Sequence, residues 1–415
     1  MSAFQLAAIV ITLAALLAYL NARVLKLPAT VGLMAVAMLG SMALIGIDAL
    51  GLVDLSTGVA QLVADLDFGN TLLHGMLGLM LFAGALHVNL GDLGEQRLAV
   101  AMLALGATLI STAVVGGATY LVLGVIGLEI RIIDALLFGA LISPTDPIAV
   151  LGMLKKAGAP RELETRIAGE SLFNDGIGVV VFTVLLSVAN GGETSAGEVA
   201  TLFAREALGG AGFGLALGYV AFRALRSIDD YTVEVLITLA LVMGGYVAAE
   251  AIHVSAPIAA VVAGLVIGNQ GREHAMSETT RVHVDMFWKL VDEILNAILF
   301  LMIGLTVMLL PVTGSIAVAA ALAVPLVLVA RLVSVAIPMT VLGRLRGASS
   351  HSITILTWGG LRGGLSIAMA LALPKLGAHD VVLVMTYGVV AWSILIQGLT
   401  FGPLLRRLGL TSPAP

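Results

Sequence analysis

Long apolar runs recur from one end of the chain to the other, separated by short connectors that carry most of the charge. A helix crossing the hydrocarbon needs about 20 mostly apolar residues, and by that length the runs predict about thirteen spans. They lie near 3–22, 29–47, 70–88, 98–126, 132–154, 165–189, 203–222, 232–251, 255–269, 288–310, 315–341, 351–374 and 380–404. The runs are continuous and lack the dyad alternation of a barrel, so they read as helices that satisfy their own backbone hydrogen bonds. The pattern gives an all-α polytopic membrane protein. The first run lacks a basic leader and a small-residue cleavage site, and reads as a retained span.

Composition agrees: 59% of the 415 residues are hydrophobic and 11% charged, with a mean hydropathy of +1.08. Soluble domains do not have this balance. The absence of cysteine excludes a disulfide framework, a thiol nucleophile and a Cys-ligated metal. No phosphate loop occurs, so ATP is not implied. No cofactor and no nucleic-acid partner are expected, and the net charge of -5 says little about partners.

Where the charges lie says more. If the first span runs outside to inside, Arg331 and Arg362 fall within the membrane and only Arg131, Arg205 and Lys375 face out. All the others of the 21 Lys and Arg residues then face the cytoplasm. That bias sets the N-terminus outside and the C-terminus in the cytoplasm. The largest polar connector, about 269–289, is then cytoplasmic, and the stretch 48–70 reads as an external loop with amphipathic pieces. No long hydrophilic stretch follows Arg407, so no soluble regulatory domain is expected there.

Three stretches inside the apolar runs carry the candidate chemistry. "GESLFNDGIGVVVF" begins at Gly169. At about 100° per residue, Glu170, Asn174, Ser171 and Asp175 fall at roughly 0°, 40°, 100° and 140°, on one side of a helix. Gly178 follows on the same side, leaving room for another backbone or a hydrated ion. This arc offers hard oxygen donors suited to a hard cation such as Na⁺. "LISPTDPIAV" begins at Leu141 and sets Pro144 and Pro147 around Thr145 and Asp146. Two prolines so close predict an unwound break, with Pro147 opening the following half-helix and Asp146 as its N-cap. The alternative is a proline-kinked helix that Asp146 merely caps. "TWGGLRGGLSIAMALALP" begins at Thr357, and its four glycines around Arg362 permit either a second break or a close packing face. Charges at this depth cost at least about 2.5 kcal/mol each, so they need partners or water. Arg331, the lone charge of its span, is the candidate mate for Glu170, which leaves Asp175 free to titrate. Paired interruptions in two halves of a chain point to an inverted-repeat transporter site.

At "SPTDPIAV", "GESLFNDG" and "WGGLRGGLS", in this order, the chain resembles the monovalent cation:proton antiporters, in the branch of bacterial NhaP-type proteins and eukaryotic Na⁺/H⁺ exchangers. The resemblance runs from the first span to Arg407. It implies an inverted-repeat fold with two crossed discontinuous helices, in which a core domain moves against a dimerisation domain. The expected division is 1–96 and 191–310 for dimerisation and linker, and 97–190 and 311–415 for the two core repeats. By resemblance Asp175 carries ion and proton in turn, and Asn174 marks the electroneutral branch. Thr145, Asp146 and Ser171 coordinate the cation or shape its site, with Asp175, Ser171 and Thr145 as Na⁺ ligands. Glu170 and Arg331 form a structural ion pair, and Arg362 sits in the second broken helix. Ala83 departs from relatives that often carry an acid there, which touches only an auxiliary contact.

The expected activity is exchange of Na⁺ or Li⁺ for H⁺ across the plasma membrane by a homodimer in contact with lipid. A carboxyl trading one ion for the other must hold its proton at the working pH, and burial away from cations penalises its charged form. With Asn174 neutral and Arg331 permanently charged, exchange is one for one. K⁺/H⁺ exchange is the alternative within this class. A cation channel and an intramembrane aspartyl protease, with Asp146 and Asp175 as its dyad, are the alternatives outside it. His74, His87, His274 and His283 are either pH sensors or bystanders.

Overall fold

The computed structural model describes residues 2–50, 58, 61, 67–191, 195–346, 350–375 and 377–409, and all regular structure among them is helical. The first helices are α1 (Phe4–Leu25), α2 (Ala29–Asp48), α3 (Phe68–Leu86) and α4 (Leu90–Val125). There follow the short pair α5 (Ile132–Ile142) and α6 (Ile148–Ala157), then α7 (Arg161–Ala189) and α8 (Ala196–Leu225). Next come α9 (Tyr231–Ala251), α10 (Ala256–Val266), α11 (Glu278–Thr306) and α12 (Gly314–Arg346). A second short pair, α13 (Ser350–Trp358) and α14 (Gly364–Leu371), precedes α15 (His379–Arg407).

Ten of these helices are long and apolar enough to cross a membrane. The remaining expected spans fall on the two short pairs and on α10, where a break or shortness hides the span from a length criterion. The chain is an integral membrane protein. Most of the stretch 51–66, part of the expected external loop, lies outside the described residues.

Two helices start well before their apolar runs. The polar connector expected at 269–289 is largely helical. A π-helical turn, Ile267–Gly271, and a short turn, Arg272–His274, extend α10. Ser277 then caps α11, its hydroxyl accepting from Thr280 N–H at 3.3 Å. Likewise α4 begins at Leu90, where Asn89 accepts from Gly91 and Asp92 N–H groups at 2.7 and 3.1 Å. Hydropathy marks where a helix enters hydrocarbon, whereas caps mark where it begins.

Apolar side chains pack α2 onto α11, α4 onto α5 and α12 onto α15, enclosing Phe138, Ile142, Ile303 and Val390. Trp288 of α11 is fully buried against Phe82 of α3, and its indole donates to Thr238 Oγ1 of α9 at 3.0 Å. One order occurs twice along the chain: a long helix, a broken pair and a long helix, as α4, α5/α6, α7 and again as α12, α13/α14, α15.

Candidate functional site

Both expected interruptions are breaks. Residues 143–147 separate α5 from α6, and residues 359–363 separate α13 from α14. The segments meet: the Asp146 N–H donates to the Leu361 carbonyl at 2.8 Å. Contact is so close that a Cβ on Gly363 would lie 2.7 Å from both Cβ and Oδ2 of Asp146, so only glycine fits there. Capping of α6 differs from the expectation by one residue. Pro147 occupies the N-cap position, and Asp146 Oδ1 accepts from Ile148 N–H at 3.0 Å. An Asp side chain bonding two residues onward forms an Asx turn, which does the work of a cap from one position further out.

The arc on α7 lies against the first break. Glu170, Ser171 and Asn174 are buried, and the room left by Gly178 is taken by the Pro144 ring. Ser171 Oγ donates to the Thr145 carbonyl at 2.6 Å and lies 3.0 Å from Thr145 Oγ1. Asn174 Nδ2 donates to Thr145 Oγ1 at 2.8 Å, while its Oδ1 accepts from the Thr145 N–H at 3.4 Å. Since the Ser171 proton is committed to the carbonyl, the Thr145 hydroxyl donates to Ser171. Each hydroxyl oxygen then keeps one lone pair free. Asp175 is partly buried, and its side chain makes no hydrogen bond or salt bridge among the described residues. Asp146 lies close enough for its charge to act on Asp175.

The two arginines take different partners. Arg331 Nη1 lies 2.6 Å from Glu170 Oε1, with both side chains buried. Its Nε and Nη2 donate to the Leu356 carbonyl at 3.3 and 3.0 Å, which ties α7, α12 and α13 together. Arg362 is fully buried. Its Nη1 donates to the carbonyls of Ser143 and, at 3.1 Å, Pro144. These groups have lost their helical partners at the end of α5, so the guanidinium meets the negative end of a half-helix dipole.

Two contributors to the crossing escaped the sequence reading. Ser393 and Gln397 lie in a π-helical turn of α15. Ser393 Oγ accepts from the Arg362 N–H at 3.0 Å and donates to Gln397 Oε1 at 2.6 Å. Gln397 Nε2 donates to the Trp358 carbonyl at 3.2 Å. Together they satisfy the Trp358 carbonyl at the end of α13 and the Arg362 N–H inside the second break. Their signal was two isolated polar residues four apart in "WSILIQG". On α11, Asp292 and Asn296 show the same spacing in "VDEILNAILF". Of the histidines, His74 Nε2 lies 3.6 Å from Glu250 Oε1, and His283 stacks on Tyr231 with centroids 4.3 Å apart.

With this geometry the chain finds clear relatives. Residues 11–407 match the family model described as sodium/hydrogen exchanger, transmembrane. The chain is 50% identical over 415 residues to the Na⁺/H⁺ antiporter NhaP of Pseudomonas aeruginosa, covering 99% of this chain and 98% of that protein. It is 38% identical over 348 residues to the Na⁺/H⁺ antiporter NhaH of Halobacillus dabanensis, covering 83% and 84% of the two chains. Among solved structures, the sodium proton antiporter MjNhaP1 of Methanocaldococcus jannaschii at pH 8 superposes with a TM-score of 0.75 at 17% identity. That match covers 97% of each chain and shows the same fold.

Proposed function

Because the chain belongs to the sodium/hydrogen exchanger family, we propose that it is a Na⁺/H⁺ antiporter in which Asp175 carries one Na⁺ or one proton in turn. The observation that carries this reading is the difference between neighbouring acids. Glu170 is neutralised by Arg331, whereas Asp175 has no ion-pair partner among the described residues and feels the like charge of Asp146. A cation or a proton relieves that repulsion, and each displaces the other.

Charge bookkeeping supports one-for-one exchange. Three carboxylates, Glu170, Asp146 and Asp175, surround the crossing with two guanidinium groups, Arg331 and Arg362. With all the acids ionised the cluster holds one negative charge in excess, and one Na⁺ or one H⁺ brings it to neutrality. Either loaded state therefore crosses the low-dielectric interior at similar electrostatic cost. Thr145 and Ser171 supply the free hydroxyl lone pairs beside the carboxylate. Asn174 holds Thr145 in place without adding a titrating group, and Arg362 keeps the α5 carbonyls occupied. Transport by a carboxylate and hydroxyl oxygens needs no cofactor and no bond-making chemistry, and the chain is a transporter and not an enzyme.

The basic-residue bias supports a plasma-membrane orientation with the N-terminus outside. The recurrence of the long, broken, long order supports core repeats at 97–190 and 311–415 moving against 1–96 and 191–310, and the homodimer rests on the family resemblance alone. Asp175→Asn tests the carrier role. In proteoliposomes it abolishes proton efflux driven by added Na⁺ or Li⁺ while the protein remains monodisperse; full exchange by the variant would overturn the assignment.

A further inference from the structure

Along α11, one polar pair remains that the crossing does not use. Leu299 of this helix packs directly against Gly364, next to the Gly363 that touches Asp146. Asn296 and Asp292 lie about one and two turns below Leu299 on the same face, roughly 4.5 and 10 Å along the axis at 1.5 Å per residue. Asn296 Nδ2 donates to Asp292 Oδ1 at 3.0 Å and to the Asp292 carbonyl at 2.8 Å. These donations fix the amide, so its oxygen faces the other way. Asn296 is only 5% exposed, yet its Oδ1 has no hydrogen-bond partner among the described residues. An unpaired buried acceptor costs about 1–3 kcal/mol, so this oxygen calls for an occupant. Asp292 is partly buried, and the like charges of Asp146 and of the neighbouring Glu293 act on it. The pair therefore lies within electrostatic reach of Asp146, one to two turns along α11 from the Leu299 contact with Gly364.

We propose that the Asp292 carboxylate, held by the Asn296 amide, forms a second, weaker site for a monovalent hard cation on the approach to Asp146, with Asn296 Oδ1, turned away from that carboxylate, as the next oxygen along the way. The site rests on the antiport reading and refines it: a cation held there is passed to Asp146 and Asp175 from the face bearing Asp292, which is the cytoplasmic face in the proposed orientation. Two oxygens and one charge bind loosely enough for release, and the nearby carboxylate draws the ion onward.

The test is apparent KM and kcat for Na⁺ in oriented proteoliposomes, with Na⁺ added at each face in turn. Asp292→Asn raises KM about threefold to tenfold at the Asp292 face, with a smaller change in kcat, and the difference shrinks in about 0.5 M choline chloride, where the Debye length is only a few ångströms. Asn296→Leu raises KM at that face too, and Asp292→Glu restores it. Glu293→Gln removes an equal charge from the exposed neighbouring position, whose field also reaches Asp292, and changes KM far less than Asp292→Asn does. A wild-type KM in Asp292→Asn, an equal rise in Glu293→Gln, or a loss confined to kcat would overturn the site while leaving antiport standing. Absence of exchange in the wild-type protein would overturn both.

Discussion

At the residue scale, Glu170 and Asp175 lie five positions apart on α7 and meet opposite surroundings. Glu170 is paired with Arg331 in a buried contact. Removing one partner of such a pair leaves an uncompensated charge and costs about 3–5 kcal/mol. Glu170→Gln and Arg331→Met are therefore each expected to lower the unfolding temperature in detergent markedly, while the double variant recovers most of the loss. Additive losses in the double variant would show that the two residues act independently. This pairing was legible because Arg331 is the lone charge of its apolar span, and a charge buried there needs a partner. Asp292 and Asn296 were not legible in the same way. Asp292 sits beside Glu293 and near Lys289, in a segment that reads as the charged edge of a span, and only the packing of α11 shows which side faces inward.

At the element scale, prolines and glycines announce the two breaks but not their contact. The bond from Asp146 N–H to Leu361 O joins segments far apart in sequence, and no local pattern encodes such a pairing. The cap of α6 shows a finer limit: Asp146 caps as expected in kind but from one residue further out, because an Asx turn and an N-cap leave nearly the same sequence signature. Gly363→Ala places a methyl against Asp146, so the broken segments must separate. Transport is expected to fall by at least about tenfold, the cost of roughly 1.4 kcal/mol in the transition state. Gly46→Ala, on α2 with open space around it and ordinary helical backbone, serves as the control that retains transport. Ser393→Ala leaves the Arg362 N–H without its acceptor, which costs about 1–3 kcal/mol. Ser393→Thr, which keeps a hydroxyl, is expected to retain more of both stability and transport; equal losses in the two would assign Ser393 a packing role.

At the scale of the whole molecule, hydropathy set the spans and the family motifs set the fold, because bilayer thickness imposes a length that sequence displays directly. Helices α4 and α11 reach beyond their apolar runs, since outside hydrocarbon a helix is held by caps and packing. The charge excess of one at the crossing is likewise a property of the assembled molecule, since it depends on which acids and arginines converge.

That excess leads to the most direct measurement: proton flux in proteoliposomes on addition of Na⁺, read with an internal pH dye while K⁺ and valinomycin clamp the voltage across a range of values. One-for-one exchange through Asp175 predicts Na⁺-driven proton flux that is the same at every clamped voltage and absent in Asp175→Ala. Flux that rises steeply with voltage, as two protons per cation would give, would contradict it.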